Sequence, residues 1–136
     1  MVDQFIVKAA GDSSRLEFSG PIPRDVGPDD GFVFKAQLVG GPVTAAVRVY
    51  DSYPRRWTDF FRKLSQEWRG WEGVRVIESL EAHIRLEASM DSLGHVRVKT
   101  ILRGIDVGDE WRAESRIDLE AGQLEDLAHR AEQYFG

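Results

Sequence analysis

Chemistry in a small protein starts from side chains that exchange protons, attack or hold a metal, and this 136-residue chain offers few in useful groupings. Its three histidines, His83, His95 and His129, make no His-x-x-x-His pair, and there is no cysteine to complete a zinc site. No G-x-S-x-G elbow presents a serine as nucleophile. No G-x-G-x-x-G or G-x-x-x-x-G-K-[ST] run is there to cradle a phosphate. The acidic stretches "GPDDG" at 27–31 and "DVGDE" at 106–110 lack the alternating ligands of a calcium loop and read as solvated turns. Acidic side chains number 23, too many to nominate one acid–base pair. No catalytic residue, metal ion or cofactor is expected. His95, directly after the turn glycine Gly94, reads instead as a lock on that turn through Asp91.

Two groupings stand out for binding. The stretch "YDSYPRRW" at 50–57 gathers an aspartate, two tyrosines, two arginines and a tryptophan where a strand gives way to a helix. Arg55 and Arg56 there oppose the helix dipole at a cost of a few tenths to ~1 kcal/mol. Either an anion or acidic partner binds them, with Trp71 beyond the helix as a third member, or Asp51 and Glu72 neutralise them. The second grouping is a row of alternating polar positions on successive strands: Glu81, His83, Arg85 and Glu87, then Arg97, Lys99, Ile101 and Arg103, then Arg112, Glu114, Arg116 and Asp118. Its cations Arg85, Arg97, Lys99, Arg112 and Arg116 form a candidate docking face for a charged protein partner. Interleaved charge also keeps a sheet from aggregating, so solubility alone is the competing account.

The elements that must carry these residues follow from periodicity. Residues 4–10 and 15–19 alternate around "GDSS" as a first hairpin. "FVFKAQLV" at 32–39 and "VTAAVRVY" at 43–50 alternate around "GGP", after a Pro- and Gly-rich loop at 20–31. The period then changes: Trp57, Phe60, Phe61, Leu64 and Trp68 form one stripe of a helix, which Gly70 ends. That stripe is expected to be core, which leaves Trp71 as the open ring and Trp111 unassigned. Strands at 74–79, 82–90, 95–103 and 111–119 come next. Around "DSLG", Asp91 pairs with His95, so Met90 faces Val96, Ala88 Val98, Leu86 Thr100 and Ile84 Leu102, with Glu87 opposite Lys99. A final helix carries Leu124, Leu127, Ala128, Ala131 and Phe135 on one side.

These elements predict one α+β domain over residues 1–136: a largely antiparallel sheet of about seven or eight strands, with two amphipathic helices on one face. Each half reads as four strands and a helix, a possible β4α–β4α pseudo-repeat. A split into two smaller sheets is the alternative, because wide twisted sheets curl or divide.

Composition narrows the class of protein. A formal charge of −5 argues against neutralising a nucleic-acid backbone. No apolar run approaches the ~20 residues of a membrane span, and no signal peptide opens the chain. Without cysteines nothing calls for an oxidising compartment, so a cytoplasmic location is expected. The stretch "EWRGWEGVRVIESLEAHIRLEASMDSLGHVRVKTILRG" at 67–104, a late Trp-Arg-x-Glu strand and "LEAGQLEDLAHRAEQYF" resemble a family of small actinobacterial proteins described only as a domain of unknown function. The resemblance runs over residues 43–136 and transfers no site. Size and plan are also similar to bacterial immunity proteins, which neutralise toxins by binding them. The expected function is a non-enzymatic protein-interaction domain. The alternative is a small-molecule binder with an apolar pocket between the first helix and the sheet, lined by Trp71 and Trp111. A homo-oligomer stays open.

Overall fold

A computed structural model describes residues 2–22 and 32–136; the expected loop at 20–31 lies mostly outside them. The order is β1 (Gln4–Lys8), β2 (Arg15–Ile22), β3 (Phe32–Gly40), β4 (Val43–Asp51) and α1 (Arg55–Gln66), then β5 (Arg75–Glu78), β6 (Ile84–Met90), β7 (His95–Asp106) and β8 (Asp109–Glu120). One 3-10 turn then leads into α2 (Leu124–Phe135). Four strands and a helix therefore occur twice.

The strands form two antiparallel sheets, β1-β2-β3-β4 and β5-β6-β7-β8, and not the single wide sheet expected. Each sheet is a meander of neighbours, and α1 intervenes between β4 and β5, so the second meander starts on its own. Among the described residues the sheets meet where β4 lies against β7 and where β1 and β3 lie against β8, and β8 makes two close approaches. The Ala10 N–H donates to the Asp118 C=O at 3.0 Å. Gly40 lies so near Ser115 that a Cβ there would stand 2.8 Å from its Oγ, which is why the end of β3 carries no side chain.

One buried cluster draws on both sheets and both helices. The first sheet contributes rings. Phe5, Phe18 and Phe34 pack against Trp57 and Phe61 of α1 and Phe135 of α2, and Trp57 stacks on Phe135 at 6.0 Å between centroids. The second sheet contributes aliphatic residues, among them Ile84, Leu86, Val98, Leu102 and Ile117. Of the α2 stripe, Leu124, Leu127, Ala131 and Phe135 are buried and Ala128 is half-buried.

The α1 stripe departs from expectation at its end. Trp57, Phe61 and Leu64 are buried and Phe60 is half-buried, but Trp68 is 53% exposed. The helix stops at Gln66, so the 3.6-residue period no longer aims position 68 at the core. Gly70, at φ +133°, then turns the chain. Trp71, expected to be the open ring, folds back half-buried and donates its Nε1–H to the Ala88 C=O at 3.1 Å.

Candidate functional site: the charged face of the second sheet

The β6–β7 hairpin has the expected register throughout, from Ile84 opposite Leu102 to Met90 opposite Val96. Its turn is held by Asp91, whose Oδ1 accepts the N–H groups of Leu93 and His95 while Oδ2 lies 3.0 Å from the His95 Nδ1. The His95 backbone N–H bond is the main reason that the Asp91 carboxyl is held below its ordinary range. The next hairpin is longer than expected. "DVGDE" is the solvated turn expected, tightened to two residues, with Gly108 at φ +84° and Asp106 paired to Asp109.

That tight turn sets the register of the solvent-facing side of β7 and β8. Lys99 stands opposite Arg116, and Arg103 opposite Arg112. Like charges directly opposite on one face repel. Glu114 sits among them, with Oε1 2.9 Å from the Lys99 Nζ and 3.7 Å from the Arg112 guanidinium. The Lys99 bond holds the Glu114 carboxyl below its ordinary range. Among the described residues no acid lies within ion-pairing distance of Arg103 or Arg116.

The candidate cations therefore divide. Arg85 is engaged by Glu87 at 2.7 Å and Glu78 at 3.7 Å, and Arg97 by Asp118 at 3.4 Å. The expected Glu87 and Lys99 pair faces across the ladder, yet each makes its ion pair elsewhere. Lys99, Arg112 and Arg116 do converge, and Arg103 joins them as the member absent from the expected set. Its signal was the Val107–Gly108 turn, from which the β7–β8 register follows by counting. Ile101, expected to be exposed in this lattice, is buried at 3%. Its neighbours across the ladder are Arg85 and Glu114, with Lys99 and Arg103 along the strand. Long charged side chains lay their methylene stems over such a residue.

The grouping at 50–57, with Trp71, does not assemble as a binding site. Asp51 is fully buried at the end of β4 and takes the Arg56 guanidinium at 3.0 Å, the Trp57 Nε1–H at 2.8 Å and the Tyr53 N–H at 2.9 Å. Arg56 also donates to the Glu78 C=O at 2.8 Å, tying α1 to β5. Asp51 thus answers the conflict with the helix dipole for Arg56 alone. Arg55 stays exposed, and Trp71 is committed to Ala88.

The expected apolar pocket between α1 and the sheet is occupied by the Trp57, Phe61 and Phe135 rings. Its two expected tryptophans also lie toward opposite ends of the second sheet. Trp71 bonds Ala88, whose β7 partner is Val98, while Trp111 packs on Gly104, six residues farther along β7. A Cβ at Gly104 would clash with the Trp111 indole, so glycine is what lets the ring lie across the ladder. Among the described residues no three His, Cys, Asp or Glu side chains group closely enough to hold a metal, and no helix is long and apolar enough to cross a membrane.

Two four-stranded antiparallel sheets backed by paired helices, with a charged outer sheet surface, define an α+β protein of β4α–β4α order. The chain belongs to the family described as "Family of unknown function (DUF6228)", whose model matches residues 7–136. That match also takes in β2 and β3, which lie outside the resemblance over 43–136. No curated protein matches the chain.

Proposed function

We propose that the chain is a non-enzymatic protein-interaction module of the cytoplasm, acting as one domain, whose contact surface is the outer face of β7 and β8. The observation that carries this is a cationic cluster only partly neutralised: Lys99 opposite Arg116 and Arg103 opposite Arg112, with Glu114 shared by Lys99 and Arg112 and no acid within reach of Arg103 or Arg116 among the described residues. Sites that violate a local rule with only partial compensation inside the chain are where function is sought. A partner presenting carboxylates relieves both repulsions at once and gains the steering that complementary charge supplies. An immunity-like role, capture of an acidic protein, fits this surface. A nucleic acid fits less well, since Glu114 and Asp118 stand within the cluster and the net charge is −5.

The test is capture of partners from lysate of the source organism by the wild type and by Lys99→Glu/Arg103→Glu. Both changes lie on the exposed side of β7. A partner retained by the wild type and lost by the variant, with unaltered circular dichroism, supports the face. Equal retention by both baits places the contact elsewhere.

A further inference from the structure

The outer edge of β8 leaves a row of backbone groups unpaired among the described residues. In the β7–β8 ladder the hydrogen-bonded rows are set by the Ala121 N–H donating to the Gly94 C=O at 3.0 Å and recur at every second pair. The backbone N–H and C=O groups of Glu110, Arg112, Glu114, Arg116 and Asp118 therefore point away from β7. The Asp118 C=O is taken by the Ala10 N–H, which agrees with that phase and closes the edge there. Among the described residues no hydrogen bond reaches the outward backbone groups at 110, 112, 114 and 116.

Among the described residues two of the other three sheet edges are guarded. On β1, Arg130 donates to the Ile6 C=O and Gln123 to the Lys8 C=O. On β5, only four residues long, Arg56 covers the Glu78 C=O. β4 is open along Thr44, Ala46 and Arg48, a row with one charge and no complement for it.

We infer that a second copy of the chain adds its β8 antiparallel to this one, centred on Ala113, joining two four-stranded sheets into one of eight. The open stretch at 110–116 has Ala113 as its midpoint, so this register uses all of it. It sets Glu110 against Arg116 and Arg112 against Glu114 of the second copy, and the reverse by symmetry. Every facing pair is then of opposite charge. A slip of two residues either way sets Arg112 against itself or Glu114 against itself, and its remaining pairs are also like-charged, so neighbouring registers are repulsive. Glu110 has no cation and Arg116 no acid within reach among the described residues, and this pairing supplies each to the other. On the core side Trp111, Ala113 and Ser115 are only half-buried, whereas Ile117 and Leu119 are buried. In this register Trp111 lies beside Ser115 of the second copy, and the two Ala113 residues meet without a clash.

This contact shares Arg112 and Arg116 with the face proposed above but rests on the strand edge, and it is tested on purified protein alone. Sedimentation equilibrium of the wild type should give a dimer at roughly 100 μM that weakens as salt screens the exposed pairs. Glu110→Arg and Arg116→Glu, each placing like charges at both symmetric contacts, should each weaken it about tenfold or more. The double exchange restores opposite charges and should return the affinity to within about threefold of wild type. Thermal unfolding is the folding control, and Arg116→Glu, which sets an acid opposite Lys99, should melt no earlier than wild type. A wild type that stays monomeric, single variants that leave the dimer intact, or a double exchange without rescue would each overturn the inference. So would a dimer lost on Ala46→Pro but not on Arg116→Glu, because the contact would then be β4.

Discussion

At the scale of single residues the side chain with the most depending on it is Asp51. Its carboxylate is fully buried and binds a guanidinium, an indole N–H and a backbone N–H, so it joins the end of β4 to the first turn of α1. Removing one partner of such a group strands the others in a low-dielectric setting. Arg56 keeps a third of its side chain in water, which softens the penalty. Asp51→Ala should therefore cost about 3 kcal/mol in urea unfolding, the low end for a broken buried pair. A loss below about 1 kcal/mol, the value of an ordinary exposed pair, would mean that this carboxylate does not anchor the helix.

At the scale of elements, the β6–β7 turn ties acidity to stability. Asp91 titrates below its ordinary value because the charged form accepts N–H bonds from His95 and Leu93. A folded-state value below the unfolded one means the contribution is present above the usual carboxylate range, about 4, and is lost as pH falls through the folded value. Glu114, held down by Lys99 on the neighbouring hairpin, acts in the same direction. Melting temperatures taken from about pH 6 to about pH 3 should fall less for Asp91→Asn than for the wild type. Parallel falls would remove Asp91 from the pH dependence. At the 3-10 turn ahead of α2 a capping box has no such pH dependence on its amide side: the Gln123 side chain takes the Glu120 N–H at 2.8 Å.

At the scale of the whole molecule, two sheets that share no strand pairing still share one core. Phe135, at the end of the second half, stacks among rings of the first, and Ala10 bonds Asp118 across the sheets. Neither half buries its apolar face without the other, so we expect one cooperative unfolding transition. Circular dichroism and tryptophan fluorescence should trace superimposable urea curves. Two separated transitions would mean that the β4α halves are independent folding units.

Much of this architecture is legible in the order of residues because it is local. Alternation within strands, the 3.6-residue stripe of α1 and α2, and the chemistry of "DSLG" set the elements and even the β6–β7 register, since each depends on neighbours a few positions apart. The candidate face was legible in part: Lys99, Arg112 and Arg116 were placed on it, whereas the repulsive pairings required the β7–β8 register set by the Val107–Gly108 turn. What only the tertiary structure decided depends on distant segments meeting. The division into two sheets turns on how the α1 connection separates β4 from β5. The exchange of roles between Trp68 and Trp71 turns on where the helix stops and where Gly70 sends the chain. Burial of Ile101 turns on side chains from three strands. Periodicity identifies which side of an element is apolar; it is packing between remote elements that settles which of those residues water still reaches.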